Sequence, residues 1–226
     1  MARAVTLLSL RTQVRERADV ENATARHTDS QLNEIINQSY ADLHEELTIS
    51  TEDYLLSTST ITTSNGVDTY ALPSTFYKLR GLFISLGGFV EQLQPFAIQQ
   101  LDEYQYTGGW ISGSPIAYHL AGSNIIFKPT PTGAYTITVY FTPAPTRMVA
   151  DGDTIDGVAG WEEYVVWDAA VRVLVRDERD ASIARGEAER LKNRVIRMAS
   201  QRDYASPSRI INRTRMNAPP KLRGLR

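Results

Sequence analysis

The chain has 226 residues, 42% of them apolar and 22% charged, which is the balance of one globular domain or of one domain with an insertion. It has no cysteine, so disulfides, thiolate metal sites, iron–sulfur clusters and a cysteine nucleophile are excluded. The net charge of −2 hides an asymmetry: residues 204–226 hold six basic residues and no acid, leaving 18 basic and 26 acidic residues, or −8, on residues 1–203. Such polarity concerns partners more than folding.

In chain order, the first apolar stretch is Val5–Leu8. It is too short for a signal-peptide core, and Arg11, Arg15 and Glu16 follow it directly. Leu7, Leu10, Val14 and Ala18 share a helical face, which predicts an amphipathic helix over about 6–18, capped by Thr6 or Ser9. Thr28 and Gln31 form a capping box for a second helix over about 29–47, with Leu32, Ile35, Ile36, Tyr40, Leu43 and Leu47 on its apolar face. No run of 18 apolar residues occurs, so no membrane span is predicted.

The pattern then turns to β. Tyr54–Thr63 is rich in β-branched residues, and Asn65-Gly66 predicts a hairpin returning through Asp68–Leu72. Leu79–Leu86 reads as a strand with Gly87-Gly88 as its turn. Residues 95–106 predict one short helix. Ile116–Leu120 and Ile125–Lys128 form a second hairpin around Ala121-Gly122-Ser123-Asn124. After the rigid loop Pro129–Gly133, Ala134–Thr142 is the longest strand candidate, stopped by Pro143 and Pro145.

Residues 146–160 are a Gly/Asp-rich connection. Trp161 opens a helical region whose face is Val165, Val166, Ala169, Ala170, Val173 and Leu174. Arg176–Asp180 is either a turn or an exposed stretch of one long helix. Ala184, Ala188, Leu191, Val195 and Met198 continue as a packed seam. Beyond about Arg202 the periodicity stops, and three prolines and the basic residues dominate.

The predicted class is therefore α+β. A helical bundle is built from the N- and C-terminal segments, with an inserted antiparallel β-hairpin domain and an extended C-terminal arm. The predicted divisions are 1–51 for the N-terminal helices, 52–145 for the β insertion, 146–203 for the linker and C-terminal helices, and 204–226 for the arm.

The search for chemistry finds no catalytic constellation. His27 sits in a polar loop, His44 on the second helix and His119 in a strand, none at metal-ligand spacing from another histidine. Phosphate-loop, dinucleotide-binding and nucleophile-elbow patterns are missing. Residues 151–162 mimic a calcium loop through Asp151, Asp153 and Glu162, but Ile155 and Asp156 stand where a ligand and a glycine belong. They read as a turn into the helix after Trp161. Trp110, Trp161 and Trp167 read as core or interface anchors. No cofactor and no metal are expected, and the chain is not predicted to be an enzyme.

The arm has too few aromatics for a nucleic-acid platform, and it is attached to an acidic body. It reads as a docking strap for an acidic protein surface, with Arg209, Arg213, Arg215, Lys221 and Arg223 as partner-binding residues.

In the order of its elements the chain resembles the head-to-tail adaptor (connector) proteins of tailed bacteriophages. The resemblance rests on QLNEIINQSYADLHEEL, on YALPSTFYKLRGLFI, on the hairpin YHLAGSNIIFKPTPTGAYTITVYFTPAP and on WEEYVVWDAAVRVLVRDERDASIARGEAERL, and spans about residues 10–205. It implies a structural virion protein at the neck, assembled in the host cytoplasm. It further implies a homo-oligomeric ring of twelve copies, portal protein on one face and tail or neck proteins on the other, and a central DNA channel without sequence-specific binding. Two other readings stay open: another neck or tail component, such as a tail-tube or head-completion protein, and a small nucleic-acid-binding protein.

Overall fold

The computed structural model describes residues 5–50, 54–100, 112–155 and 160–200. Four helices occur among them: α1 (Leu7–Ala18), α2 (Asp29–Ser50), α3 (Glu162–Arg176) and α4 (Ser182–Ser200). Between α2 and α3 lie β1 (Ser57–Thr62), β2 (Thr69–Ala71), β3 (Phe76–Leu86), β4 (Phe89–Gln92), β5 (Gln94–Pro95), β6 (Ser112–Gly113), β7 (Ala117–Ala121), β8 (Asn124–Lys128), β9 (Thr130–Pro131) and β10 (Thr136–Pro143). The architecture is mixed α+β with mainly antiparallel sheets.

Helix α3 packs against all three other helices. Its Val165, Val166, Ala169, Ala170 and Val173 are fully buried, and the two alanines let neighbouring backbones come close. Leu7, Leu10, Val14 and Ala18 of α1 and Leu32, Ile36, Tyr40, Leu43 and Leu47 of α2 join them in one apolar cluster with Ala184, Leu191 and Val195 of α4. The expected seam on α4 ends differently. Met198 is 44% exposed and Ala199 is buried. A real helix drifts by about 20° per heptad from a strict 3.5-residue repeat, and the four-residue step from Val195 lands on Ala199. The region after Trp161 is two helices. Glu178 takes a left-handed φ of 56°, and the Asp180 carboxylate accepts from the Ser182 N–H at 2.9 Å to start α4.

The expected caps are present. Thr6 Oγ1 accepts from the Ser9 N–H (3.4 Å), and the Thr28–Gln31 box closes in both directions (3.3 and 3.4 Å). A helix leaves end groups that it cannot pair itself, and α1 finds partners for them far along the chain. The Leu7 and Leu8 N–H groups donate to the Asp153 and Asp151 carbonyls (2.8 and 3.2 Å). At the other end, Arg179 donates to the carbonyls of Ala18 and Asp19 (2.8 and 3.3 Å).

The first sheet has the order β1-β10-β3-β4 and is antiparallel throughout. The second has the order β2-β8-β7-β5, with β5 parallel to β7, and β6 and β9 form a short parallel pair. Leu82, Ile84, Ile137, Val139 and Phe141 of the first sheet share a core with Ile125 and Phe127 of the second. Hairpins close as expected at Gly87-Gly88, both at positive φ, and at Gly122-Ser123.

The Asn65-Gly66 hairpin does not form. Gly66 does turn the chain at a φ of 77°, but β1 pairs with β10 and β2 with β8, so the flanking strands part into different sheets. The distant partner sets Ile61 opposite the buried Ile137. The Thr63 hydroxyl fixes that corner, donating to the Gly133 carbonyl (2.8 Å) and accepting from the Tyr135 N–H (2.9 Å). The longest strand is β3, with 11 residues against 8 for β10. Of the helix expected over 95–106, Ile98–Gln100 is a single 3₁₀ turn, and residues 101–106 lie outside the described residues.

Polar ties join the β region to the helices. Tyr140 pairs with Gly81 and Phe141 with Leu79, which makes Arg80 the extra residue of a β-bulge. Its guanidinium donates to the Thr48 carbonyl in the last turn of α2 and to the Thr142 hydroxyl, both at 3.0 Å. His44 meets the Tyr77 ring edge-on, 5.8 Å between centroids. The Asn37 amide accepts from the Met148 N–H (2.8 Å) and donates to the Met148 carbonyl (2.9 Å), as a neighbouring strand would. Tyr54, just before β1, lies 4.9 Å from Trp161, just before α3, so the insertion leaves and returns at one place.

Replacing Arg80 with alanine should lower stability by about 2 kcal/mol, the range for lost hydrogen bonds to a charged group. Arg80→Lys should recover only part of it, because one ammonium cannot serve Thr48 and Thr142 with the guanidinium's geometry. Urea unfolding of the three chains checks this, and equal midpoints would refute it. A second expectation concerns Asp153, whose carboxylate accepts from the Val149 and Ala150 N–H groups (2.7 and 2.8 Å). These bonds hold its pKa below the ordinary 3.8. A lowered carboxylate pKa gives stability that is present above 3.8 and lost as pH falls through the folded value. Asp153→Ala should therefore melt lower than the parent at pH 7, with the gap in Tm closing as pH drops below 3.8.

Candidate assembly surface

The predicted partner-binding residues Arg209, Arg213, Arg215, Lys221 and Arg223 lie outside the described residues. Their root is described. Helix α4 packs on α2 and α3, and Lys192 of α4 pairs with Glu46 of α2. In sequence, residues 204–226 follow this helix, which is anchored in the apolar cluster.

The cations of the body are largely committed within it. Arg11, only 6% exposed, pairs with Asp29 (3.3 Å) and with Asp151. Arg15 donates to Asp29 and to the His27 carbonyl (3.0 and 2.7 Å). Asp29 sits in the first turn of α2, where negative charge is also favoured by the helix dipole. Arg172 bridges Asp168 (2.8 Å) and Asp42, Arg147 pairs with Glu34, and Lys128 pairs with Asp68 (2.7 Å). Burial opposes the charge on Asp68, but the bonds from Lys128 and Thr69 outweigh it and leave the pKa lowered. Glu16, Glu21, Glu45 and Glu189 stand exposed without an ion-pair partner among the described residues. The surplus negative charge of the body is therefore displayed on its surface.

The histidines are structural. His27 is fully buried, with Nε2 2.9 Å from Asp177 Oδ2, and Asp177 also pairs with Arg26 (3.0 Å). A histidine expected in a polar loop thus ties the α1–α2 connection to the break between α3 and α4. His119 Nδ1 lies 3.1 Å from the Phe96 carbonyl. The carboxylates of the calcium-like stretch are also engaged, Asp151 by Arg11, Asp153 by two backbone N–H groups and Glu162 by the Gly160 N–H (2.6 Å). Residues 156–159 of that stretch lie outside the described residues. Tyr164 is the one group in the helices with a large pKa shift. Burial first, then the Asp168 and Asp42 carboxylates, hold its phenol far above the ordinary value and keep it protonated.

Of the tryptophans, Trp161 is buried, Trp167 lies under the Arg17 guanidinium at 5.0 Å, and Trp110 lies outside the described residues. Among the described residues no three His, Asp or Glu side chains converge as a metal site would require, and no helix is long and apolar enough to cross a membrane. A cleft of about 240 Å³ lies between α2 and the 145–147 connection, lined by Glu34, Asn37, Tyr40 and Arg147. It opposes a carboxylate to a guanidinium and contains no nucleophile–base pair.

The most exposed apolar pair adjacent in sequence is Phe89 and Val90, 75% and 68% exposed, on the β3–β4 hairpin. Sequence reading missed this tip, although an apolar pair directly after a Gly-Gly turn was a signal for it. It also missed the Arg80 bulge, which a glycine inside a strand pattern marks.

No curated protein matches the chain. A family model described as SU10 adaptor protein matches residues 5–213, a stretch that takes in Arg209 and Arg213 and stops before Arg215, Lys221 and Arg223. With nearly the whole chain matched, the chain belongs to the SU10 adaptor family, structural head-to-tail adaptor proteins of bacteriophage.

Proposed function

We propose that this chain forms a ring of twelve copies beneath the portal, binds portal protein on one face and tail or neck proteins on the other, and lines the channel through which the genome leaves. The family match over residues 5–213 is the observation that carries this reading. The surface charge supports it. A body of net −8 that displays its carboxylates repels the DNA backbone, as a channel wall must if the duplex is to pass without sticking. DNA is handled without sequence-specific contacts.

The helical segments 1–51 and 146–203 act as a bundle that fixes each copy's position, and the β segment 52–145 acts as an inserted domain. The arm, 204–226, docks on an acidic protein surface through Arg209, Arg213 and Arg215, with Lys221 and Arg223 further along. Its contact area is gained only when that partner is present, which suits stepwise assembly in the host cytoplasm into the virion neck. Twelve weak arms add through multivalency.

The full chain should be a monomer alone and a multimer with portal protein, as weighed by native mass spectrometry. Failure to form any multimeric complex would overturn the reading. Deleting residues 204–226 should leave the melting temperature unchanged and weaken assembly on portal at least tenfold. A truncated chain that unfolds would show instead that the arm belongs to the folded body.

A further inference from the structure

The first sheet ends in two open strands of opposite character. On one side, β1 (STSTIT) has no charge and no proline, the devices that normally guard an edge against pairing. On the other, β4 is exposed along its whole length and carries Phe89 and Val90. Each has a single ladder partner among the described residues, β10 for β1 and β3 for β4.

The strand count gives these edges a relation. Four strands alternate strictly in direction, so β1 and β4 are antiparallel to each other. A copy rotated about a ring axis brings its β1 beside the β4 of its neighbour in antiparallel sense and with the same face inward. The ladder then continues from copy to copy without reversal. We infer that β4 of one copy pairs with β1 of the next, so that the sheets join edge to edge around the ring. This rests on the ring proposed above and names its lateral contact.

The pleat restricts the register. Phe89 lies opposite Leu86 and Glu91 opposite Ile84, which places both on the core face of the sheet, while Val90 and Gln92 are on the outer face. In β1, Ser59 and Ile61 lie opposite the buried Val139 and Ile137 and are on the core face, with Thr58, Thr60 and Thr62 outward. Directly opposed residues share a face, so core-face residues must oppose one another. Phe89 against Ile61 satisfies this and joins two apolar side chains. Val90 then faces Thr60, and Glu91 faces Ser59, which sets no like charges opposite each other.

The occupant is a second copy of this chain in a ring, not a partner in a dimer. Pairing β4 with another β4 leaves β1 open in both copies, whereas β4 on β1 uses both edges of the first sheet and repeats, as a closing heterologous contact does. The contact is also small. Four residues span about 14 Å of strand, too short an edge to bury the roughly 1,200 Å² of a stable two-body interface. A single contact therefore does not hold two free copies together. It forms when the partner ring brings many copies into line.

The lack of cysteine makes a direct test available. Within one copy β1 and β4 are three strand spacings apart, about 14 Å, beyond the roughly 7 Å limit for a disulfide. Any bond between them is therefore intermolecular. Two full-length double variants, Phe89→Cys with Ile61→Cys and Val90→Cys with Thr60→Cys, would be assembled on portal protein and oxidised. One of the two pairs falls at a non-hydrogen-bonded position, where the backbones lie closest. Non-reducing gels should show a ladder of covalent multimers beyond the dimer for at least one pair. Each single-cysteine variant should stop at dimers, and Phe89→Cys with Thr60→Cys, on opposite faces, should give little ladder. Thr60 and Val90 are exposed, so their variant should melt like the parent when reduced. If native mass spectrometry shows the multimer while both pairs stay monomeric on gels, the edge contact is wrong and the ring stands. If the unmodified chain forms no multimer, the ring reading fails and this inference falls with it.

Discussion

Helix α3 has more apolar surface than one neighbour can cover. Tyr164, Val165, Val166, Ala169, Ala170, Val173 and Leu174 wrap well over half of its circumference, and such a helix is stable only when enclosed on several sides. Its neighbours are α1 and α2 from the start of the chain and α4 from the end. Everything between α2 and α3 must therefore leave the helices and come back to them. The Tyr54–Trp161 contact closes that excursion, and Asn37 holds the returning backbone at Met148. The β region is free to vary in what it presents because its two ends are fixed by the burial of α3.

The same constraint explains why charged groups lie so deep. Once α1 is pressed on α3, its end groups are shielded from water, and an unpaired buried polar group costs about 1–3 kcal/mol. The Asp151 and Asp153 carbonyls serve one end and Arg179 the other. Arg11 is buried for a related reason, since it joins the acidic first turn of α2 to the 151–153 loop. Asp29 and Asp151 are themselves mostly exposed, so the group left as an unpaired buried charge, if both carboxylates were removed, is the Arg11 guanidinium.

Most of what a periodic pattern or a local turn encodes was legible in the sequence, the end of the α4 seam at Met198 excepted. The apolar faces of α1, α2 and α3, the Thr6 cap, the Thr28–Gln31 box and the Gly87-Gly88 and Gly122-Ser123 turns each depend on residues a few positions apart. What was not legible depends on residues far apart. Asn65-Gly66 gives a correct turn and a wrong pairing, since β1 pairs with the distant β10, where Ile61 meets the buried Ile137. His27 stands among polar residues in sequence, and only Asp177 of a distant turn explains its burial. Arg80 looks like an ordinary strand residue until the bulge at Gly81 turns it toward Thr48. Of the candidate site, the basic residues 209–223 lie outside the described residues, while the exposed hairpin tip needed strand order to acquire meaning.

Two kinds of force then act at different places in the proposed assembly. In that proposal residues 204–226, with six basic residues and no acid, attract a partner across about one Debye length, roughly 8–10 Å, and the attraction weakens with salt. The β1 and β4 edges offer backbone groups and two apolar side chains, which act only in contact and respond little to salt. A long-range, adjustable attraction can gather copies in any order, and a short-range ladder can then fix their register. Neither suffices alone: arms without register would leave the copies misaligned, and single short edges would not hold free copies together. On that proposal, keeping the two at separate places would let the chain stay monomeric until a partner surface supplies the alignment that makes many weak edges close at once.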